Sequence, residues 1–123
     1  MLNLTTVMLG SEQPDALTAF YTSVLGEPAW KDGTFVGWQA GSGMLMIGPH
    51  SEVTGRNDTP GRIILNFETP DVAAEFDRIK GLGATVKQEP YQPGEATTGE
   101  FWLATFEDPD GNYFQLASPM PAA

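Results

Sequence analysis

Histidine occurs once in this chain, at His50, and cysteine does not occur at all. One imidazole and no thiol exclude a His-pair or thiolate metal site, a cysteine nucleophile and a disulfide. His50 follows Gly48-Pro49 and opens a polar stretch, where it reads as a loop residue. A general base would need a partner and a cleft around it. Hydroxyl chemistry is equally thin. No serine sits in a Gly-x-Ser-x-Gly elbow, and Gly41-Ser42-Gly43 lacks the downstream context of a phosphate loop and reads as a hairpin turn. What remains are neutral polar and soft groups. Gln115 stands in the alternating run Tyr113-Phe114-Gln115-Leu116, just after the turn Asp108-Pro109-Asp110-Gly111. Its amide suits hydrogen bonding to a bound molecule, or else it is an exposed amide on a strand. Met8, Met44 and Met46 offer sulfurs that adapt to irregular ligands or to gaps in a core. Trp38 and Trp102 offer indoles that stack on flat or cationic molecules, or pack a core or a dimer contact. Arg62 and Asn66 add two polar groups on a further strand. This is an inventory for binding more than for bond breaking.

Charge narrows the partners. The 123 residues carry a net charge of −10 at pH 7. Such a surface repels phosphate backbones, so nucleic acid is excluded, and it attracts cationic small molecules. No window is long and apolar enough to span a membrane. The opening MLNLTTVMLG lacks the basic flank and apolar core of a signal peptide, so a cytoplasmic location is expected.

The elements that must position these groups follow a repeated order. A strand over Leu4–Leu9 precedes a helix near Pro14–Leu25, with Pro14 in its first turn, Leu17, Phe20, Tyr21 and Val24 at helical spacing, and Gly26 and Pro28 as its stop. Strands at Trp30, Thr34–Gln39 and Met44–Gly48 come next. His50–Gly61 is a polar, Gly- and Pro-containing loop. The order then recurs: strand RIILNFE from Arg62, and a helix near Pro70–Gly81 with Thr69 as N-cap and Val72, Phe76 and Ile79 on one face. Strands at Thr85–Glu89, Phe101–Glu107 and Tyr113–Ala117 follow. The pattern β-α-β-β-β twice predicts an α+β fold of one domain over residues 1–123. Module 1 covers about residues 1–50, a linker about 51–60, and module 2 about 61–119. Tyr91–Glu100 reads as a loop, either a cover over a cavity mouth or plain surface.

Three segments carry a family resemblance: LTAFYTSVLGEP (Leu17–Pro28), FETPDVAAEFDRIKGLGATV (Phe67–Val86) and TFEDPDGNYFQLASP (Thr105–Pro119). Through them the chain resembles the vicinal oxygen chelate superfamily, which includes glyoxalase I, bleomycin-resistance proteins and extradiol dioxygenases. The resemblance implies two βαβββ modules forming a curved mixed sheet around a cavity. It also implies a homodimer, because single-domain members usually pair. Metal-dependent members hold a divalent ion with His, Glu or sometimes Gln from the first and last strands of each module. The matching positions here are Thr6, counting back from Phe20, Met46, Ile64, counting back from Asp71, and Gln115. A hydroxyl, a thioether, a hydrocarbon and an amide do not make a site for Ni²⁺, Zn²⁺, Fe²⁺ or Mg²⁺. No metal and no cofactor are therefore expected.

The expected ligand-binding set is Thr6, Met8, Trp38, Met44, Met46, Arg62, Ile64, Asn66, Trp102, Tyr113 and Gln115. The resulting expectation is a metal-independent protein that binds a hydrophobic or cationic small molecule. Two alternatives stay open. One is a lyase, isomerase or dioxygenase with a displaced or absent metal site, working through a metal at shifted positions or through acid–base work by Gln115, Glu68 or Tyr113. The other is a non-catalytic regulatory or interaction module.

Overall fold

The computed structural model describes residues 1–94 and 101–120. The chain divides into two compact units, Met1–Arg56 and Asn57–Ala123. The break falls inside the polar stretch that follows His50. Each unit is one βαβββ module. Among the described residues no helix is long and apolar enough to cross a membrane.

In the first unit, β1 (Thr6–Ser11) leads into α1 (Pro14–Leu25), followed by β2 (Trp30–Asp32), β3 (Phe35–Ala40) and β4 (Gly43–Pro49). The strand order is β1-β4-β3-β2, with β1 parallel to β4 and the other pairs antiparallel. Helix α1 starts where Pro14 removes an N–H that a first turn leaves unpaired anyway. It buries Leu17, Tyr21 and Val24, which the helical period brings to one face. The register pairs Trp38 with Leu45 and Val36 with Ile47, and Val7 with Leu45 and Leu9 with Ile47. These residues form the helix-facing side of the sheet, and Trp38, Val36, Leu45 and Ile47 are all buried there.

The second unit repeats the plan with β5 (Leu65–Glu68), α2 (Val72–Gly81), β6 (Thr85–Tyr91), β7 (Leu103–Glu107) and β8 (Tyr113–Ala117). Its order is β5-β8-β7-β6, again with the first and last strands parallel. Aromatic packing dominates its core. Phe106 lies between Phe76 of α2 and Phe114 of β8, with ring centroids 5.1 and 5.4 Å away and both pairs stacked. Val72, Ile79, Ala104 and Leu116 complete the buried layer.

Several expected boundaries shift: β1 spans Thr6–Ser11 where Leu4–Leu9 is expected, and β7 begins at Leu103 where Phe101 is expected. The cap of α2 is Asp71, whose carboxylate accepts from the Ala74 amide at 3.0 Å. Thr69 sits two residues earlier and accepts from the Asp71 backbone amide at 3.2 Å, so Thr69-Pro70 shape the approach and the helix begins at Val72. A carboxylate at the cap also suits the positive end of the helix dipole. The strand expected from Arg62 begins instead at Leu65, because Pro60–Arg62 turns as a short 3-10 helix. Of the loop expected at Tyr91–Glu100, Tyr91 ends β6, and residues 95–100 lie outside the described residues.

Candidate functional site

Strand alternation gives each sheet a side away from its helix, and these two sides hold most of the chemistry. In the first unit, Thr6 pairs with Met44 and Met8 with Met46 across β1 and β4. Gly37 of β3 pairs with Met46 and with Trp30 of β2, which completes a row Met8–Met46–Gly37–Trp30. The glycine has a reason. The Trp30 ring lies so close that a Cβ on Gly37 would stand 2.6 Å from ring atoms Cε2 and Nε1. Phe35 covers Gly48 in the same way. Trp30 Nε1–H points at the Met44 sulfur, 3.2 Å away. Met8 is 41% exposed and Phe35 36%. The result is a face of methionine and aromatic surface with Thr6 at one corner. Polarisable thioethers and rings hold apolar and flat molecules by dispersion, with few directional demands.

In the second unit the side away from α2 is polar. Asn66 pairs with Gln115, Gln115 with Thr105, and Thr105 with Gln88, so one row of neutral hydrogen-bonding side chains crosses all four strands. Gln115 Nε2 donates to Thr105 Oγ1 at 3.3 Å. Asn66 Nδ2 donates to the Ile64 carbonyl at 3.3 Å. One pair further along β8, Tyr113 faces Glu107, and the Lys87 ammonium lies 5.6 Å from the Tyr113 ring centroid.

The eleven expected ligand-binding residues divide accordingly. Thr6, Met8, Met44 and Met46 share the helix-averse face of the first sheet. Asn66, Tyr113 and Gln115 share that of the second, and Ile64 immediately precedes it on the same side. Trp38 does not belong with them. It is 1% exposed on the helix-facing side, its ring 6.3 Å from that of Tyr21, and its Nε1–H donates to the Gly26 carbonyl at 2.9 Å. It is a core residue and offers no surface to a ligand. Arg62 is exposed in the 3-10 turn and not on β5. Trp102 is exposed just before β7, bonded through its backbone to Ser118, and the alternation carries it to the side of Ala104 and away from Thr105.

Trp30, Phe35, Gln88 and Thr105 are face residues that the expected set omits. Thr105 was accessible to sequence reasoning, because counting outward from the Asp108–Gly111 turn reaches the Thr105–Gln115 pair. Gln88 was not, since β6 slips against β7 between Val86 and Gln88.

Donor chemistry is what bears on a metal here. The positions that match metal-dependent relatives carry Thr6, Met46, Ile64 and Gln115. The register sets Met44 and not Met46 opposite Thr6, but either residue supplies only a thioether. This donor set does not fit a hard or borderline divalent ion. Among the described residues no group of three or more His, Cys, Asp or Glu side chains is placed to hold a metal ion.

Two βαβββ modules with these strand orders define a protein of the vicinal oxygen chelate fold. Residues 6–117 match the glyoxalase-like domain family, and the chain belongs to that family. Solved structures with the same fold include a glyoxalase/bleomycin resistance protein/dioxygenase family enzyme from Burkholderia phytofirmans PsJN. It is 22% identical, with a TM-score of 0.74, over 97% of this chain and 100% of that one. Lactoylglutathione lyase from Agrobacterium tumefaciens is similar at 21% identity and a TM-score of 0.70, over 96% and 94% of the two chains. The fosfomycin resistance protein FosX from Listeria monocytogenes is similar at 19% identity and a TM-score of 0.68, over 98% and 93%. No curated protein matches the chain.

Proposed function

We propose that this protein binds a small organic molecule without a metal. The methionine-aromatic face of the first unit and the amide face of the second are each, taken singly, a contact surface for such a molecule. The observation that carries this reading is the chemistry at the four matching positions. A hydroxyl, a thioether, a hydrocarbon and an amide stand there, embedded in apolar and neutral polar neighbours. Such groups hold a ligand by dispersion and hydrogen bonds, and they neither activate water nor polarise a carbonyl as a bound cation does. The similar structures include a lyase and an antibiotic resistance protein, whose activities differ from each other. They travel with the sites of those proteins and not with the shared fold.

The test is metal analysis of the protein purified without chelator, followed by titration with Ni²⁺, Zn²⁺, Mn²⁺ and Fe²⁺. No stoichiometric metal and no shift in Tm are expected. One tightly held ion per chain would overturn the proposal. In parallel, flat aromatic compounds should quench the emission of Trp30, with Trp30→Phe removing the quenched component.

The second part of the proposal is a homodimer with an isologous two-fold contact, the commonest oligomer symmetry. Its support is the family resemblance together with apolar side chains left exposed in the first unit, Met8 and Phe35 among them. Light scattering is expected to give twice the 13.3 kDa chain mass at micromolar concentration. A monomer there would refute the association and leave the binding proposal standing.

A further inference from the structure

We infer that the amide row of the second unit recognises an organic cation bearing N–H donors, such as an ammonium or amidinium group. This rests on the binding proposal above and gives its ligand a chemical class. The argument starts from how the amides spend their hydrogens. Gln115 Nε2 is turned to Thr105 Oγ1, Asn66 Nδ2 to the Ile64 carbonyl, and Gln88 Nε2 to the Glu89 carbonyl, each at 3.3 Å. Each side chain thereby gives one of its two amide hydrogens to the protein, while its carbonyl oxygen receives none. Among the described residues no donor reaches Gln115 Oε1, Asn66 Oδ1 or Gln88 Oε1. The register puts these three residues in one line across β5, β8 and β6, with Thr105 between the last two. A row of carbonyl oxygens is a row of acceptors, and its complement is a molecule with N–H groups to give.

Charge points the same way. Glu68, paired with Ala117, lies one step along the sheet from Gln115, so a carboxylate flanks the row on that side. On the other side Glu107 stands opposite Tyr113 with the Lys87 ammonium over the Tyr113 ring, a positive charge that leaves the Glu68 end as the favourable flank for a cation. The chain as a whole carries −10, a field that concentrates cations at its surface. Hydrogen bonds from a charged donor to a neutral carbonyl are also stronger than neutral pairs, so the row discriminates by charge as well as by direction.

The test uses the full chain, labelled with ¹⁵N and with ¹³C at the methionine methyls, in about 0.15 M salt so that diffuse attraction to exposed charges is screened. Benzamidinium and benzoate, two probes of similar shape and opposite charge, are titrated side by side. Benzamidinium is expected to shift the side-chain NH₂ signals of Asn66, Gln88 and Gln115 saturably, at concentrations where benzoate leaves them in place. Gln115→Leu should weaken benzamidinium about tenfold, the effect of losing one hydrogen bond to a charged donor. Asn66→Leu, at an exposed position of an edge strand, provides the same reading should Gln115→Leu misfold. The inference is overturned if benzoate shifts these signals at equal or lower concentration, since the amides would then be presenting N–H groups outward. It is also overturned if neither folded variant weakens benzamidinium more than twofold. If the methyls of Met8, Met44 and Met46 respond to a probe while the amides stay silent, the inference falls and small-molecule binding stands. If neither set responds to either probe, both fall.

Discussion

Trp38→Ala is expected to destabilise the first unit by about 3–5 kcal/mol, the range for truncating a large buried aromatic side chain. The indole is 1% exposed and in line with Leu45 on the helix-facing side of the sheet. Its removal leaves a cavity against Tyr21 that the rigid sheet cannot close. It also removes the bond from Nε1–H to the Gly26 carbonyl, 2.9 Å long, which ties the end of α1 to β3. Trp38→Phe keeps most of the ring volume and loses that bond, so a smaller cost of about 1–2 kcal/mol is expected. Urea unfolding followed by circular dichroism measures both. A residue that merely walled a ligand surface would give the opposite pattern: little change in the urea midpoint and a large change in ligand affinity. A Trp38→Ala cost below about 1 kcal/mol would refute the core assignment.

The misreading of Trp38 shows where sequence reasoning stopped. The alternation within β4 correctly separates Leu45 and Ile47 from Met44 and Met46, because apolar branched residues and methionines take alternate positions. The phase of β3 against β4 depends on the turn between them. The turn is Gly41-Ser42, which pairs Ala40 with Gly43, and counting outward from that pair reaches Trp38 opposite Leu45. Reading Gly41-Ser42-Gly43 only as a turn leaves the phase undetermined, and an indole is then free to be placed on either face. Trp30, which sequence reading leaves without a face, is the complementary case. Its ring lies on the side of the sheet away from the helix because Gly37 leaves room for it, and a glycine inside a strand is the sequence sign of such an approach.

The second unit was more legible for physical reasons of the same kind. Asp108-Pro109-Asp110-Gly111 fixes both the turn and the register, so β7 and β8 follow with their faces assigned. Helix α2 was legible from Val72, Phe76 and Ile79, and only its cap moved by two residues, between two side chains that both can cap. Strand β6 was not. It runs on through Pro90, which a sheet edge tolerates because the N–H that proline lacks is not needed where no further strand pairs. Its register slips twice against β7, at Val86/Gln88 and at Gln88/Tyr91. Bulges leave no reliable mark in residue type, so the contribution of Gln88 to the amide row emerges only from the coordinates.

Asp108→Ala is expected to cost about 3–4 kcal/mol, more than any other polar substitution in the second unit. Asp108 is 3% exposed, although it is a carboxylate in a turn. Its Oδ1 accepts from the backbone amides of Asp110 at 2.9 Å and Asn112 at 3.0 Å, and its Oδ2 accepts from Asn112 Nδ2 at 3.0 Å. A hydrogen bond to a charged acceptor contributes about 1.5–3 kcal/mol, and the amides left without an acceptor in a buried turn add their desolvation. The bonds also reach beyond the hairpin. Asn112 Oδ1 accepts from Asn57 Nδ2 at 3.0 Å, and the Asn57 amide donates to the Asp110 carbonyl at 2.8 Å, so the carboxylate orders the segment that leads into β5. Asp108→Asn separates geometry from charge. Its amide oxygen can still accept from both backbone N–H groups, while its NH₂ faces the donor Asn112 Nδ2, so a cost of about 1–2 kcal/mol is expected, between wild type and alanine. Because this hairpin sets the register of Thr105 against Gln115, folded Asp108→Ala protein should also broaden the Gln115 side-chain signals, whereas Asp108→Asn should leave them sharp. Equal urea midpoints for Asp108→Ala and wild type would show that water replaces the carboxylate and that the turn holds through its backbone bonds alone.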